Sequence, residues 1–164
     1  MEYPIGSIGV GGHKAGTYML RKRVLFSGKR SLPAIEESTV RASAGKDKFK
    51  VRAVGVITSN GVVLMIFGGE KPHVGAVALA VPMRSLRRKG KIGVTSSVLT
   101  LAGHEDDKVA RPAAELAARR LKTTAVAIAG IHVENAASEE IGILLRNSRR
   151  AVELLLDKLG KKAV

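Results

Sequence analysis

Three of the four histidines in this chain stand where backbone and side chain can both meet a ligand. His73 follows Gly68-Gly69-Glu70-Lys71-Pro72, directly after an apolar run. Paired glycines let another group approach the backbone, Pro72 stiffens the exit, and Glu70 with Lys71 offers both signs of charge. Such a loop suits the polar edge of a ligand, although a tight turn with its charges in water uses the same residue types. His104 lies between Gly103 and Glu105-Asp106-Asp107, where a strand gives way to a helix whose first N–H groups favour anions. Its plain alternative is a surface histidine beside a helix cap. His132 closes the apolar run Ala125 to Ile131 and precedes Val133, Glu134 and Asn135. Strand alternation puts His132 and Glu134 on one face, and a buried histidine bonded to a carbonyl is the alternative there.

Other chemistries are excluded or left without a framework. Thr95, Ser96, Ser97 and Thr100 line a strand leading to His104, but no GxSxG elbow surrounds them, so no serine triad can be argued. There is no cysteine, which removes thiolate ligands, disulfides and cysteine nucleophiles. HExxH spacing is absent, so a metal site would have to be assembled from His and carboxylates of distant segments. The reading assigns no catalytic residue and expects no metal. Gly9 to Lys14 has glycines and a lysine but no GxxxxGK[ST] match, and it is not a phosphate loop.

The elements that must position these residues are legible as periodicity. Val51 to Ile57 and Val62 to Phe67 flank Asn60-Gly61, a pattern that predicts a hairpin with a type I′ turn. Thr17 to Phe26 and Ser38 to Ala42 read as half-exposed strands, and Val74 to Val81 and Val94 to Leu101 as two more, joined by the basic segment Arg84 to Lys91. After Gly103 the acidic trio precedes Val109, Ala113, Leu116, Ala117 and Leu121 at helical spacing, with a kink or restart expected at Pro112. Thr124 to Val133 is then a buried strand, and Ser138 is expected to cap a long helix striped by Ile141, Leu144, Leu145, Val152, Leu155 and Leu159. The order βββββαβα predicts an α+β fold, an antiparallel or mixed β-sheet with two helices packed on one face. Residues 1 to 16, rich in glycine, are expected to be a flexible extension, and 17 to 164 one domain.

Composition sets the class. At 164 residues the chain suits one domain and needs no staple. No apolar run approaches the roughly 20 residues of a membrane span, and the N-terminus lacks an apolar signal region, so a cytoplasmic protein is expected. Absence of Gln and Cys with abundant Lys, Arg and Glu suits a thermophile. Lys plus Arg total 28 against 14 Asp plus Glu, a net charge of +14. That excess makes a nucleic-acid-binding module the first alternative, with Arg84, Arg87, Arg88, Lys89 and Lys91 to hold phosphates. Nucleic acid is the less favoured partner, because Trp is absent and Phe and Tyr are few, leaving no stacking platform. An enzyme using the histidines as acid or base is the second alternative. Long apolar strands, more than two helices can cover, predict a homodimer.

Several separated blocks resemble a known family. Gly68-Gly69-Glu70-Lys71-Pro72-His73-Val74-Gly75-Ala76-Val77-Ala78-Leu79-Ala80, Thr95-Ser96-Ser97-Val98-Leu99-Thr100, Gly103-His104, Ala110-Arg111-Pro112 and Ala129-Gly130-Ile131-His132-Val133-Glu134-Asn135-Ala136 are similar, in this order, to the prenylated-flavin chaperones, which include the gallate decarboxylase D subunit. The similarity covers roughly residues 48 to 158. It implies a non-catalytic accessory protein that binds prenylated FMN, or FMN, and supplies it to or protects it for a UbiD-type decarboxylase. The cofactor-binding set it implies is Gly68, Gly69, Glu70, Lys71, His73, Ser96, Ser97, His104, His132, Glu134 and Asn135.

Overall fold

The computed structural model describes residues 38–84 and 92–162. The strand read at Thr17 to Phe26, the boundary at residue 16, and the basic segment from residue 85 to 91 lie outside the described residues. Period-2 sequences pair into one six-stranded sheet: β1 (Thr39–Ala44), β2 (Val51–Ile57), β3 (Gly61–Gly69), β4 (Ala76–Arg84), β5 (Ile92–Thr100) and β6 (Thr124–His132). Two helices follow the rise in 3.6-residue periodicity, α1 (Asp107–Leu121) and α2 (Ser138–Lys162). The described order is βββββαβα, and the sheet is mixed.

Spatial order is β1-β2-β3-β6-β4-β5. Every neighbouring pair is antiparallel except β3 and β6, which run parallel with Gly69 opposite His132. Strands β3 and β4, consecutive in sequence, are therefore not partners. Strand β6 enters between them, and the loop from Glu70 to Gly75 must step across its end.

One face of the sheet carries the core. Val51, Ala53, Leu64, Ile66 and the alanines of β4 and β6 are buried there under both helices. Ala76, Ala78, Ala80, Ala125, Ala127 and Ala129 meet Ala110, Ala113, Ala114, Ala117 and Ala118 of α1, so small side chains let this helix lie close on the middle of the sheet. The bulkier Leu155, Leu156 and Leu159 of α2 fill the wider gap over β1 and β2. The opposite face is also apolar, through Val63, Met65, Phe67, Val77, Leu79 and Val81. No described residue packs over it, and Leu79 is 44% exposed. No helix among the described residues is long and apolar enough to cross a membrane.

Three local expectations are corrected. The hairpin forms, with the Thr58 N–H donating to the Gly61 carbonyl at 2.9 Å, but neither Asn60 nor Gly61 has positive φ, so the turn is not type I′. Ser59 and Asn60 make the turn, and Gly61 instead pairs with Thr124, whose carbonyl leaves no room for a Cβ. Helix α1 runs through Pro112 without restarting. Pro112 sits in the second turn, where only the carbonyl of the exposed Lys108 loses its intrahelical donor. Ser138 is the first helical residue rather than the cap: Ala137 holds that place, its N–H donating to Glu140 Oε2 at 3.1 Å and its carbonyl accepting from Ile141.

Candidate functional site

The crossing of the Glu70–Gly75 loop over β6 forces backbone against backbone. The Glu70 and Lys71 N–H groups both donate to the His132 carbonyl, at 2.7 and 3.3 Å, and the Gly75 N–H donates to the Ala129 carbonyl at 2.9 Å. Glycine is required at two points of this backbone contact. A Cβ on Gly69, which has φ +77°, would strike the His132 carbonyl, and one on Gly130 would strike the carbonyl of His73. Side chains reinforce the crossing: Lys71 Nζ pairs with Glu134 Oε2 at 2.6 Å, and Glu70 Oε2 accepts from the Glu134 N–H at 3.0 Å. Lys71 holds the Glu134 carboxyl below the ordinary range, with His132, 3.6 Å away, adding to the effect. Glu134 in turn raises the Lys71 ammonium.

This clamp delivers three imidazoles to one corner. The His73 ring lies 4.6 Å from that of His104 and 6.1 Å from that of His132, centroid to centroid. His73 Nδ1–H donates to the Lys71 carbonyl at 3.1 Å, which turns Nε2 towards His104 Nδ1, 2.9 Å away, and Asp106 Oδ2, 3.2 Å away. Asp106 precedes the first turn of α1, is 7% exposed, and accepts the Ile131 N–H on Oδ1 at 2.9 Å. Its carboxylate thus ties the start of α1 to the end of β6 and to both histidines.

Beside the cluster opens a cleft of about 280 Å³ between the start of α1, the end of β6 and the first turns of α2. His104, Asp106, His132 and Lys108 give it a polar end. Ile131, Val133, Ala136, Ile141, Leu144 and Leu145 give it an apolar wall, with Ile141 and Leu145 left exposed.

Of the residues singled out from the sequence, Gly68, Gly69, Glu70, Lys71, His73, His104, His132 and Glu134 gather at this end of the sheet. Asn135 follows at once, with φ +49° in the connection to α2. Ser96 and Ser97 do not join them. Ser96 pairs with Ala80 in the middle of β5 and donates to Glu115 Oε1 of α1 at 2.8 Å, while Ser97 faces the opposite side, beside Leu79. In the sequence Asp106 stands only as one of three acidic residues at a helix start. The signal that could have found it is Gly75, where a Cβ would overlap Asp106 Oδ2.

No curated protein matches the chain. A chain of the crystal structure of a novel chaperone complex for yeast 20S proteasome assembly is similar in shape, with a TM-score of 0.48 and 15% identity, covering 77% of this chain and 99% of that one. Residues 45–160, which hold every strand from β2 onward and the whole histidine cluster, match the sequence model of the prenylated flavin chaperone LpdD-like domain, and the protein belongs to that family.

Proposed function

We propose that the protein is a non-catalytic carrier that holds prenylated FMN in the cleft beside His104 and His132 and supplies it to a UbiD-type decarboxylase. The observation that carries this reading is that two imidazoles, His104 and His132, stand at the polar end of an apolar-walled cleft with the His73 ring packed beside both, in a chain whose family handles this cofactor.

The residues suit the group. A flavin ring needs apolar cover on its faces and a few polar contacts at its pyrimidine edge, and its phosphate needs cations or N–H groups. Ile131, Val133, Ile141 and Leu145 supply aliphatic cover in place of the scarce aromatics. A neutral imidazole offers one donor and one acceptor, so His104 and His132 can read a polar edge without adding fixed charge. Lys108 lines the same cleft, and its pair with Glu105 is an exposed contact of little strength, free to be exchanged for a phosphate. Small-molecule sites usually enclose about 300–1,000 Å³. This cleft lies just under that range, so part of a flavin would stay outside, accessible to a receiving enzyme. The bound group would supply its reactive ring to the decarboxylase, and this chain would orient and shield it.

Anaerobic incubation with prenylated FMN, desalting, and an absorbance spectrum test the binding. Retained flavin that then activates an apo-decarboxylase of the UbiD type is the expected result. No retained flavin under anaerobic conditions would overturn it.

A further inference from the structure

We propose that His73, His104 and Asp106 form a binding site for one divalent transition-metal ion of the zinc or ferrous class. The proposal rests on the geometry of these three side chains and not on the flavin reading.

Their facing atoms make a triangle. His73 Nε2 is 2.9 Å from His104 Nδ1 and 3.2 Å from Asp106 Oδ2, and the third side is 3.6 Å. Donors bonded to one ion at about 2.05 Å stand about 2.9 Å apart at right angles and about 3.4 Å apart at the tetrahedral angle. The triangle has the dimensions of one face of such a coordination shell.

Two of the three donors, His73 and Asp106, are already oriented by a second contact. The Lys71 carbonyl can only accept, so His73 Nδ1 carries the proton, and in the neutral ring Nε2 presents its lone pair to the triangle. Imidazoles that bind metals are commonly fixed in this way through the other ring nitrogen. Asp106 uses Oδ1 on the Ile131 N–H, which leaves Oδ2 for the triangle. Gly75 keeps the space that this carboxylate occupies.

Charge points the same way. Asp106 is nine-tenths buried, and among the described residues the ion-pair partners of its Oδ2 are imidazoles. A buried carboxylate needs a compensating positive charge. A divalent ion at the centre would supply it while accepting three lone pairs at once. Two imidazoles and one carboxylate favour zinc or ferrous iron over magnesium or calcium, which prefer oxygen alone. His104 and Asp106 also line the cleft, so the remaining coordination positions would open onto it and could take an oxygen of a bound ligand. A single proton on His73 is the competing occupant.

The test uses the full chain, stripped with a chelator, dialysed, and loaded without flavin with Zn²⁺ alone or Co²⁺ alone. After gel filtration, elemental analysis should find close to one ion per chain, undiminished by excess Mg²⁺. The Co²⁺ form should show visible d–d bands, and X-ray absorption of the zinc form should show imidazole ligands. His104→Ala and Asp106→Asn should weaken binding by about 100-fold or more, since even changes behind the ligands cost about 10–100-fold. Ser97→Ala, on the far face, should leave it unchanged. Parent protein that retains no ion, or an ion without imidazole ligands, overturns the site whether or not the variants fold. Flavin retention by the stripped protein is measured separately, so the two readings can fail independently.

Discussion

The Asp106 carboxylate fills the space that a side chain at Gly75 would need. A Cβ at position 75 would overlap Asp106 Oδ2, although the backbone of Gly75 itself is not in the left-handed region. The Asp106 side chain cannot simply withdraw, because Oδ1 is held by the Ile131 N–H and the residue directly precedes α1. Gly75→Ala should therefore cost about 1–3 kcal/mol, the usual range for forcing extra atoms into a packed site. Thermal unfolding should show a fall of several degrees. An unchanged melting temperature would mean that the carboxylate moves freely and does not hold the cluster.

The Lys71–Glu134 pair gives a pH dependence of known sign. The folded-state Glu134 carboxyl is depressed by Lys71 and, to a lesser extent, by His132. Any stability it contributes is present above the ordinary glutamate value and is lost as pH falls through the lower folded value. Lys71 is raised by the same contact, so its share is present below the ordinary lysine value and is lost only when pH rises through the higher folded value. Both side chains are exposed, and salt weakens such pairs. Melting of the parent and Glu134→Gln should differ slightly at neutral pH, and the gap should close below the ordinary glutamate range of about pH 4. A gap that widens on acidification would contradict the assignment.

Much of the fold was legible, because local periodicity carries it. The β2–β3 hairpin, the alternation in β4 and β6 and the stripe on α2 all follow from residues near one another in sequence. The insertion of β6 between β3 and β4 was not legible, since alternation fixes which face a residue takes but not which strand lies beside it. That insertion makes the Glu70–Gly75 loop a crossover rather than a turn. The three histidines could be found because each stands at a strand end. Glu105, Asp106 and Asp107 are equivalent as a pattern, and only the fold selects Asp106. Ser96 and Ser97 show the converse, since hydroxyls on a strand look available until Glu115 and the far face account for them.

The apolar face of the sheet that no described residue covers should pair with a second copy of the chain. Val63, Met65, Phe67, Val77, Leu79 and Val81, joined through Val126 and Ile128 of β6, make a contiguous apolar area at the centre of the sheet, and a two-fold axis lets one such patch cover another. Sedimentation at micromolar concentration should give about twice the chain mass of 17.3 kDa. Leu79→Lys, a charge at the centre of the patch, should give monomer with its melting still cooperative. A parent protein that sediments only as monomer would sink this expectation.

His73 and His132 should respond differently to truncation. His73→Ala removes the nearest side-chain partner of a buried carboxylate, a change of about 1–3 kcal/mol by the cost of a weakened buried polar contact. The His132 side chain is 39% exposed and its contact with Glu134 is long, so His132→Ala should leave the melting temperature within about 2 °C, as surface changes within about 0.5 kcal/mol do. Equal destabilisation by both would mean that His132 is a structural histidine.

The central claim is that the cleft beside His104 and His132 holds the flavin, and the most direct measurement is anaerobic prenylated-FMN affinity of the parent and of His132→Ala, each with its melting temperature. Tight, stoichiometric binding by the parent and at least about tenfold weaker binding by the variant are expected, the loss of roughly one hydrogen bond, with stability unchanged. A variant that binds the flavin as tightly as the parent, or one that loses the flavin only because it unfolds, would contradict the placement of the site.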